Sequence, residues 1–261
     1  DNTLAPRITG ISASTITDGA GNPLLTTLPA NPSLGVVFDT TGPTVTSLTR
    51  SDANLRAGET ARIGITLSEP SDSFEVGDLT ATNGYFLNFQ SLSQSQYEVD
   101  FVPLQNTEGF GSIGILPAAF ADLAGNPLQS PPAPLSVAID TRLPSIAISS
   151  NRSSLGANQQ AVITFTLSEP LQGGLTRAKI SQTGGSLGNL TALSDTLYQA
   201  TFTPAPGFQG NATIAIAANT FLDAAGNGNP AATFSLPVDV LATVDLQATP
   251  AALNGVNAAS T

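Results

Sequence analysis

Thr66-Leu67-Ser68-Glu69-Pro70 and Thr166-Leu167-Ser168-Glu169-Pro170 are the same five residues, 100 positions apart. Outward from them, Asp122-Leu123-Ala124-Gly125-Asn126 returns as Asp223-Ala224-Ala225-Gly226-Asn227 after 101 positions. Asp39-Thr40-Thr41-Gly42-Pro43 returns as Asp140-Thr141-Arg142-Leu143-Pro144, also after 101. Between these anchors, Tyr97-Glu98-Val99-Asp100-Phe101-Val102-Pro103 parallels Tyr198-Gln199-Ala200-Thr201-Phe202-Thr203-Pro204, and Gly109-Phe110 is paired with Gly207-Phe208. Landmarks kept in one order at a near-constant offset define a tandem repeat. Its units run over 39–139 and 140–240.

The ends carry fragments of the same pattern. Asp18-Gly19-Ala20-Gly21-Asn22-Pro23 is a third copy of the Asp-x-Ala-Gly-Asn element, and Val36-Val37-Phe38-Asp39 closes it as Val137-Ala138-Ile139-Asp140 closes the next. Residues 1–38 are therefore expected to be the C-terminal part of a preceding repeat. Val244-Asp245-Leu246-Gln247 resembles the opening strand Ile146-Ala147-Ile148-Ser149, so 241–261 reads as the start of a following repeat. The chain reads as a window on a longer array.

Each unit alternates with period 2, the signature of half-buried strands. Ile63, Ile65 and Leu67 face one way while Arg62, Gly64 and Thr66 face the other, and Ile163, Phe165 and Leu167 repeat the arrangement. The spacing predicts strands near 44–49, 60–68, 95–102, 111–116 and 135–139, with weaker ones in 73–92, divided by Gly, Pro, Asn and Asp clusters. About seven short strands in ~100 residues without helical periodicity predict an all-β chain of tandem immunoglobulin-like β-sandwiches. A single closed barrel does not explain an internal repeat.

Composition supports this reading and excludes others. Charged residues are 10% of the chain and there is one lysine, Lys179, too few for the polar faces of a helical bundle. A hydrophobic share of 41% and a mean hydropathy of +0.13 supply a core and argue against disorder. Net charge is −11, which disfavours nucleic-acid binding, since phosphates demand clustered Lys and Arg. No apolar run approaches the ~20 residues of a membrane-spanning helix. With neither Cys nor His, the chain has no disulfide, no Ser-His-Asp machinery and no thiolate or imidazole metal site. No Gly-rich phosphate loop precedes a helix.

The Asp-Thr-Thr-x-Pro opening, the Leu-Ser-Glu-Pro strand end and the late Asp-x-Ala-Gly-Asn turn resemble the bacterial Ig-like repeats of giant surface adhesins and related exported proteins. The resemblance covers 39–240 fully and both ends in part. It implies a non-enzymatic, extracellular stalk whose partners are neighbouring repeats of the same chain and whose linkers calcium stiffens. The alternative is a self-assembling surface filament or S-layer subunit that exchanges strands with other copies of itself. A carbohydrate-binding accessory module is a third, weaker reading, given 6% aromatics and no Trp.

Topology supplies an independent route to the metal. Strands of an Ig sandwich alternate in direction, so the chain entering through Asp39, the second strand ending at Glu69, and the loop with Asp122 and Asn126 should meet at one pole. Asp140, Glu169, Asp223 and Asn227 form the corresponding set for the next unit. Asp18 and Asn22 belong to the first, partial copy. Hard oxygen donors without His or Cys suit calcium, which takes six to eight such ligands in flexible geometry. The bland alternative is that Asp-x-Ala-Gly-Asn is a good turn and the other acids are merely solvated. Carboxylate pairs that recur in every repeat at a linker do not suit a glycosidase. Three Asn-x-Ser/Thr sequons, at Asn151, Asn189 and Asn211, read as chance. Tyr85, Phe86 and Phe89 offer either an exposed binding patch or strand core, and strand core is the reading preferred.

Overall fold

The computed structural model describes residue 20 and residues 39–241, and divides into two compact units, Asp1–Arg142 and Leu143–Thr261. The expected repeat fragments at 1–38 and 241–261, with Asp18 and Asn22, lie outside the described residues, save for residues 20 and 241.

In the first unit the chain forms β1 (Val45–Arg50), β2 (Asn54–Arg56), β3 (Ala61–Leu67), β4 (Leu79–Thr82), β5 (Gly84–Ser93), β6 (Gln96–Pro103), β7 (Glu108–Ile115) and β8 (Leu135–Asp140). One sheet runs β1-β3-β6-β5 and the other β2-β8-β7-β4. All pairings are antiparallel except β2 with β8. The 73–92 stretch resolves into a short 3-10 turn at Val76–Asp78 followed by β4 and β5. The three-residue β2, with one buried side chain, was too short to leave a periodic signal.

The inner faces make the core. Ile63, Ile65 and Leu67 of β3 meet Tyr97, Val99 and Phe101 of β6, opposite Ile113, Val137 and Ile139 of the second sheet. Phe101 is fully buried, a contribution of about 1.5–3 kcal/mol relative to leaving the ring in water. Tyr97 buries its ring and satisfies its hydroxyl by donating to the carbonyls of Ser71 (2.9 Å) and Gln94 (2.8 Å). Phe74 makes edge contacts at 4.7 Å with both Tyr97 and Phe120, which fixes the loop after β7 on top of the core. Phe86 and Phe89 pack on this core, whereas Tyr85 is 46% exposed. Strand alternation places Tyr85 on the outer face, so it does not take the core role expected of it.

The second unit repeats the plan with β9 (Ile146–Ser150), β10 (Ala161–Leu167), β11 (Ser181–Gln182), β12 (Gly185–Leu187), β13 (Thr191–Ser194), β14 (Leu197–Pro204), β15 (Gln209–Ile216) and β16 (Ala232–Asp239). Here β12-β14-β10-β9 form one sheet, with β13 also on β14, and β11-β15-β16 form the other. Gly188, Asn189 and Leu190 break the long edge strand into β12 and β13. Its core is Ile163, Phe165, Phe202, Ile214 and Leu236 with their neighbours.

One detail of the repeat alignment changes. Gly109 pairs with Ile139 and Gly210 with Val238, and these two glycines share positive φ values of 126° and 139°. Gly109-Phe110 therefore corresponds to Gly210-Asn211, three residues beyond Gly207-Phe208. The dipeptide match misled because Phe208 packs partly against the core whereas Phe110 is 70% exposed.

Candidate metal centre

The Leu-Ser-Glu-Pro element divides its work residue by residue. Leu67 is the last buried side chain of β3. The Ser68 hydroxyl accepts the Thr44 N–H (2.9 Å) while the Ser68 N–H donates to the Thr44 carbonyl (2.9 Å). This reciprocal pair ties the entering chain to the end of β3. Ser168 and Ser145 repeat it in the second unit, at 2.8 and 3.0 Å. Glu69 follows at the pole, half-buried, beside Pro70.

Asp-x-Ala-Gly-Asn is a turn wound around its own aspartate. Asp122 Oδ1 accepts the N–H groups of Ala124 and Asn126, both at 2.8 Å. The Asn126 amide nitrogen donates to Asp122 Oδ2 (2.8 Å) and to the Asp39 carbonyl (3.1 Å). Gly125 takes φ 89°, which a side chain resists. Asp223, Gly226 and Asn227 reproduce the turn, with Asp223 Oδ1 to the Asn227 N–H at 2.8 Å and Gly226 at φ 92°. The turn reading and the metal reading are thus compatible: hydrogen bonds orient the aspartate, and a carboxylate so held is a better ligand.

These devices bring Asp39, Glu69 and Asp122 together, with one carboxylate oxygen from each lying within 4.8 Å of the others. Asp39 Oδ1 also accepts the Thr41 N–H (3.0 Å). Asp122 is buried while Asp39 and Glu69 are half-buried. Burial, then repulsion from Asp39 and Asp122, pushes the Glu69 carboxyl above its usual range. Burial alone would raise Asp122 as well, but hydrogen bonds from the Asn126 side chain and from the backbone of Asn126, Ala124 and Gly125 outweigh it and hold this carboxyl low. The salt bridges of Arg56 with Glu59 and of Arg62 with Glu98 and Asp100 do not reach this cluster. A divalent cation with oxygen ligands would neutralise it, and the donor set fits calcium. In that arrangement Asn126 positions Asp122 through its amide nitrogen.

Of the second set, Asp140 closes β8 in the first unit, where its Oδ1 accepts the Arg142 N–H (3.1 Å). Glu169 and Asn227 lie in the second unit with Asp223, which is fully buried.

Sequence reasoning missed the residues that place Asp122. Ser71 is buried and donates its hydroxyl to the Ala121 carbonyl (2.6 Å), and the Ser73 hydroxyl accepts the Ala121 N–H (3.1 Å). The loop after Glu69 thereby grips the residue before Asp122. Asp239 was missed as well. It closes β16 as Asp140 closes β8, pairs with Gln209 as Asp140 pairs with Glu108, and accepts the Leu241 N–H through Oδ1 (3.2 Å). The absence of a following Thr-x-x-Pro hid it, although its 99-residue distance from Asp140 was legible.

No curated protein matches this sequence. Among solved structures, the chain is similar to the Escherichia coli adhesin FdeC at 13% identity and a TM-score of 0.39, over 75% of this chain and 63% of that one. It is similar to the Yersinia pseudotuberculosis adhesin InvE at 13% identity and a TM-score of 0.32, over 74% and 58%. An E-to-A variant of titin domains I67–I69 matches at 9% identity and a TM-score of 0.39, over 76% and 65%. The chain thus spans less than two thirds of the length of each. The profile of the bacterial Ig-like domain matches residues 39–136 and again residues 140–240, and the chain belongs to that family.

Proposed function

We propose that this chain is a structural segment of a bacterial cell-surface adhesin, holding a distal binding domain away from the cell, with calcium stiffening the array. The reading rests on the bacterial Ig-like repeats and, above all, on the convergence of Asp39, Glu69 and Asp122 where the chain enters a repeat. Without cation, three carboxylates repel one another beside the linker and the entering chain is loosely held. With calcium, they bind the linker to the end of β3 and to the loop after β7. The sequence equivalents Asp140, Glu169 and Asp223 are proposed to act alike. The role is mechanical, no catalytic step is involved, and the location is extracellular, where calcium is abundant enough for the ~10⁻⁴–10⁻³ M affinities of extracellular modules.

Calcium titrated into the chelator-treated protein, followed by calorimetry and thermal unfolding, tests this. Saturable binding with a rise in Tm is expected, together with larger small-angle scattering dimensions than in chelator. No binding at millimolar calcium would overturn the metal, and unchanged dimensions would overturn the stiffening.

One observation favours the filament reading as a second possibility. The edge strand β5 carries no charged residue over Gly84–Ser93 and exposes Tyr85, Leu87 and Leu92, the kind of edge that invites pairing with another chain. Sedimentation at high concentration tests it, and a persistent monomer would dismiss it.

A further inference from the structure

The two repeats act as each other's control at the pole opposite Glu69 and Glu169. In the first repeat the Arg56 N–H donates to Glu59 Oε2 (3.2 Å), and in the second the Gly156 N–H donates to Gln159 Oε1 (2.9 Å). Leu104 N–H donates to the Asn83 carbonyl as Ala205 N–H donates to that of Gly184. These bonds make Asp52 equivalent to Arg152, Glu59 to Gln159, Leu104 to Ala205 and Thr141 to Val240. Two acids have been replaced by a guanidinium and an amide, and two larger or bridging side chains have gone.

The second repeat has a cleft at this end. In the first repeat the Thr141 hydroxyl plugs the turn, donating to the Leu104 carbonyl (2.6 Å) and accepting the Thr107 N–H (2.9 Å). In the second, Val240 has no hydroxyl, and the turn closes on itself through Phe208 N–H to the Ala205 carbonyl (3.2 Å). An open cleft of about 690 Å³ lies between the turn before β10 and the turn after β14, within the size range of small-molecule sites. Its lining includes Arg152, Asn158, Gln160, Thr203, Pro204 and Pro206, and no carboxylate, in a chain of net charge −11. Nearby Asp239 turns Oδ1 to the Leu241 N–H. Among the described residues no side-chain hydrogen bond or salt bridge engages the Arg152 guanidinium. Gln160 already donates to the Thr203 hydroxyl (2.9 Å), fixing two polar groups at one wall.

We propose that this cleft binds a carboxylated, hydroxyl-rich small ligand of the uronic acid class, as a free acid or as a residue of an acidic polysaccharide. The planar guanidinium takes the carboxylate in a two-pronged pair. The Asn158 and Gln160 amides and the Thr203 hydroxyl exchange hydrogen bonds with ring hydroxyls, and the prolines offer apolar surface to the C–H face of the ring. This site goes beyond the mechanical role and is assigned to the second repeat, since the first carries Asp52 and Leu104 at the equivalent places.

Nuclear magnetic resonance of the ¹⁵N-labelled full chain, with D-glucuronate, methyl glucoside and acetate as separate probes, tests the proposal. Glucuronate is expected to give saturable shifts at Arg152, Asn158, Gln160 and Thr203, with methyl glucoside and acetate at least about tenfold weaker. Arg152→Asp and Ala205→Leu install what the first repeat tolerates, and each should weaken glucuronate about tenfold or more with Tm unchanged. If either lowers Tm, Arg152→Gln provides the same reading without a new charge. Absence of saturation at tens of millimolar, shifts centred elsewhere, equal binding of acetate, or variants that bind as the parent does would each overturn the site. Oligomeric glucuronan binding more tightly than the monosaccharide would identify the polysaccharide as the source, and equal affinity the free acid.

Discussion

Glu69→Gln removes one charge from the acidic cluster while keeping the side chain's length and its capacity to hydrogen-bond to Asp39. With the carboxylate oxygens within 4.8 Å, Glu69 and Asp39 repel by about 1 kcal/mol in water-like surroundings and about 3.5 kcal/mol at an effective dielectric of ~20. Both groups are half-buried and open to solvent, so screening selects the lower figure. In a domain of ~100 residues about 1 kcal/mol is worth roughly 4–8 °C in Tm. Differential scanning calorimetry of the full chain in chelator at low salt should show the variant unfolding roughly 4 °C above the parent. In millimolar calcium the order should reverse, because the parent gains a ligand that the variant lacks. A variant that melts below the parent in chelator would refute the repulsion. One that gains as much Tm from calcium as the parent would refute Glu69 as a ligand.

Without metal, stability should also follow pH in a characteristic way. Glu69 titrates above its ordinary 4.5, so the native state holds this proton more tightly than the unfolded chain, and stability is gained as pH falls through the raised value toward 4.5. Asp122, and Asp100 held low by Asn88 and Arg62, contribute stability above 3.8 that is lost as pH falls further. Tm in chelator should therefore peak on the acidic side of neutrality, and calcium should flatten the loss toward pH 7; a monotonic fall from pH 7 downward would contradict this. Gly125→Ala forces a side chain into φ 89° and should cost about 1 kcal/mol or more in denaturant unfolding, with weaker calcium binding as the Asp122 turn loosens. Phe101→Ala should cost about 3–5 kcal/mol, whereas Phe110→Ser, at a ring 70% exposed, should stay within about 0.5 kcal/mol; urea titrations of the two distinguish core from surface.

The sequence alone determined the repeat, the strand-rich class and the inner faces. Buried faces must alternate with period 2, and two copies of one motif cannot hide. It also placed Asp39, Glu69 and Asp122 at one pole, because strand direction in a sandwich follows from strand count. What it could not decide lay in contacts between segments distant along the chain. Ser71 and Ser73 look like ordinary loop serines until Ala121, about 50 residues away, is set against them. Tyr85 and Phe86 are neighbours of similar character, and only the register of β5 on β6 turns one outward and the other in. Phe110 and Phe208 follow glycines alike, yet hydrogen-bond register puts them in different positions of the fold. The cleft at Arg152 is walled by the turn before β10, the turn after β14 and Val240, segments far apart along the chain. Periodicity records which side chains face the core; it carries no record of which turns meet across the end of a sandwich, and that is fixed only when the two sheets pack.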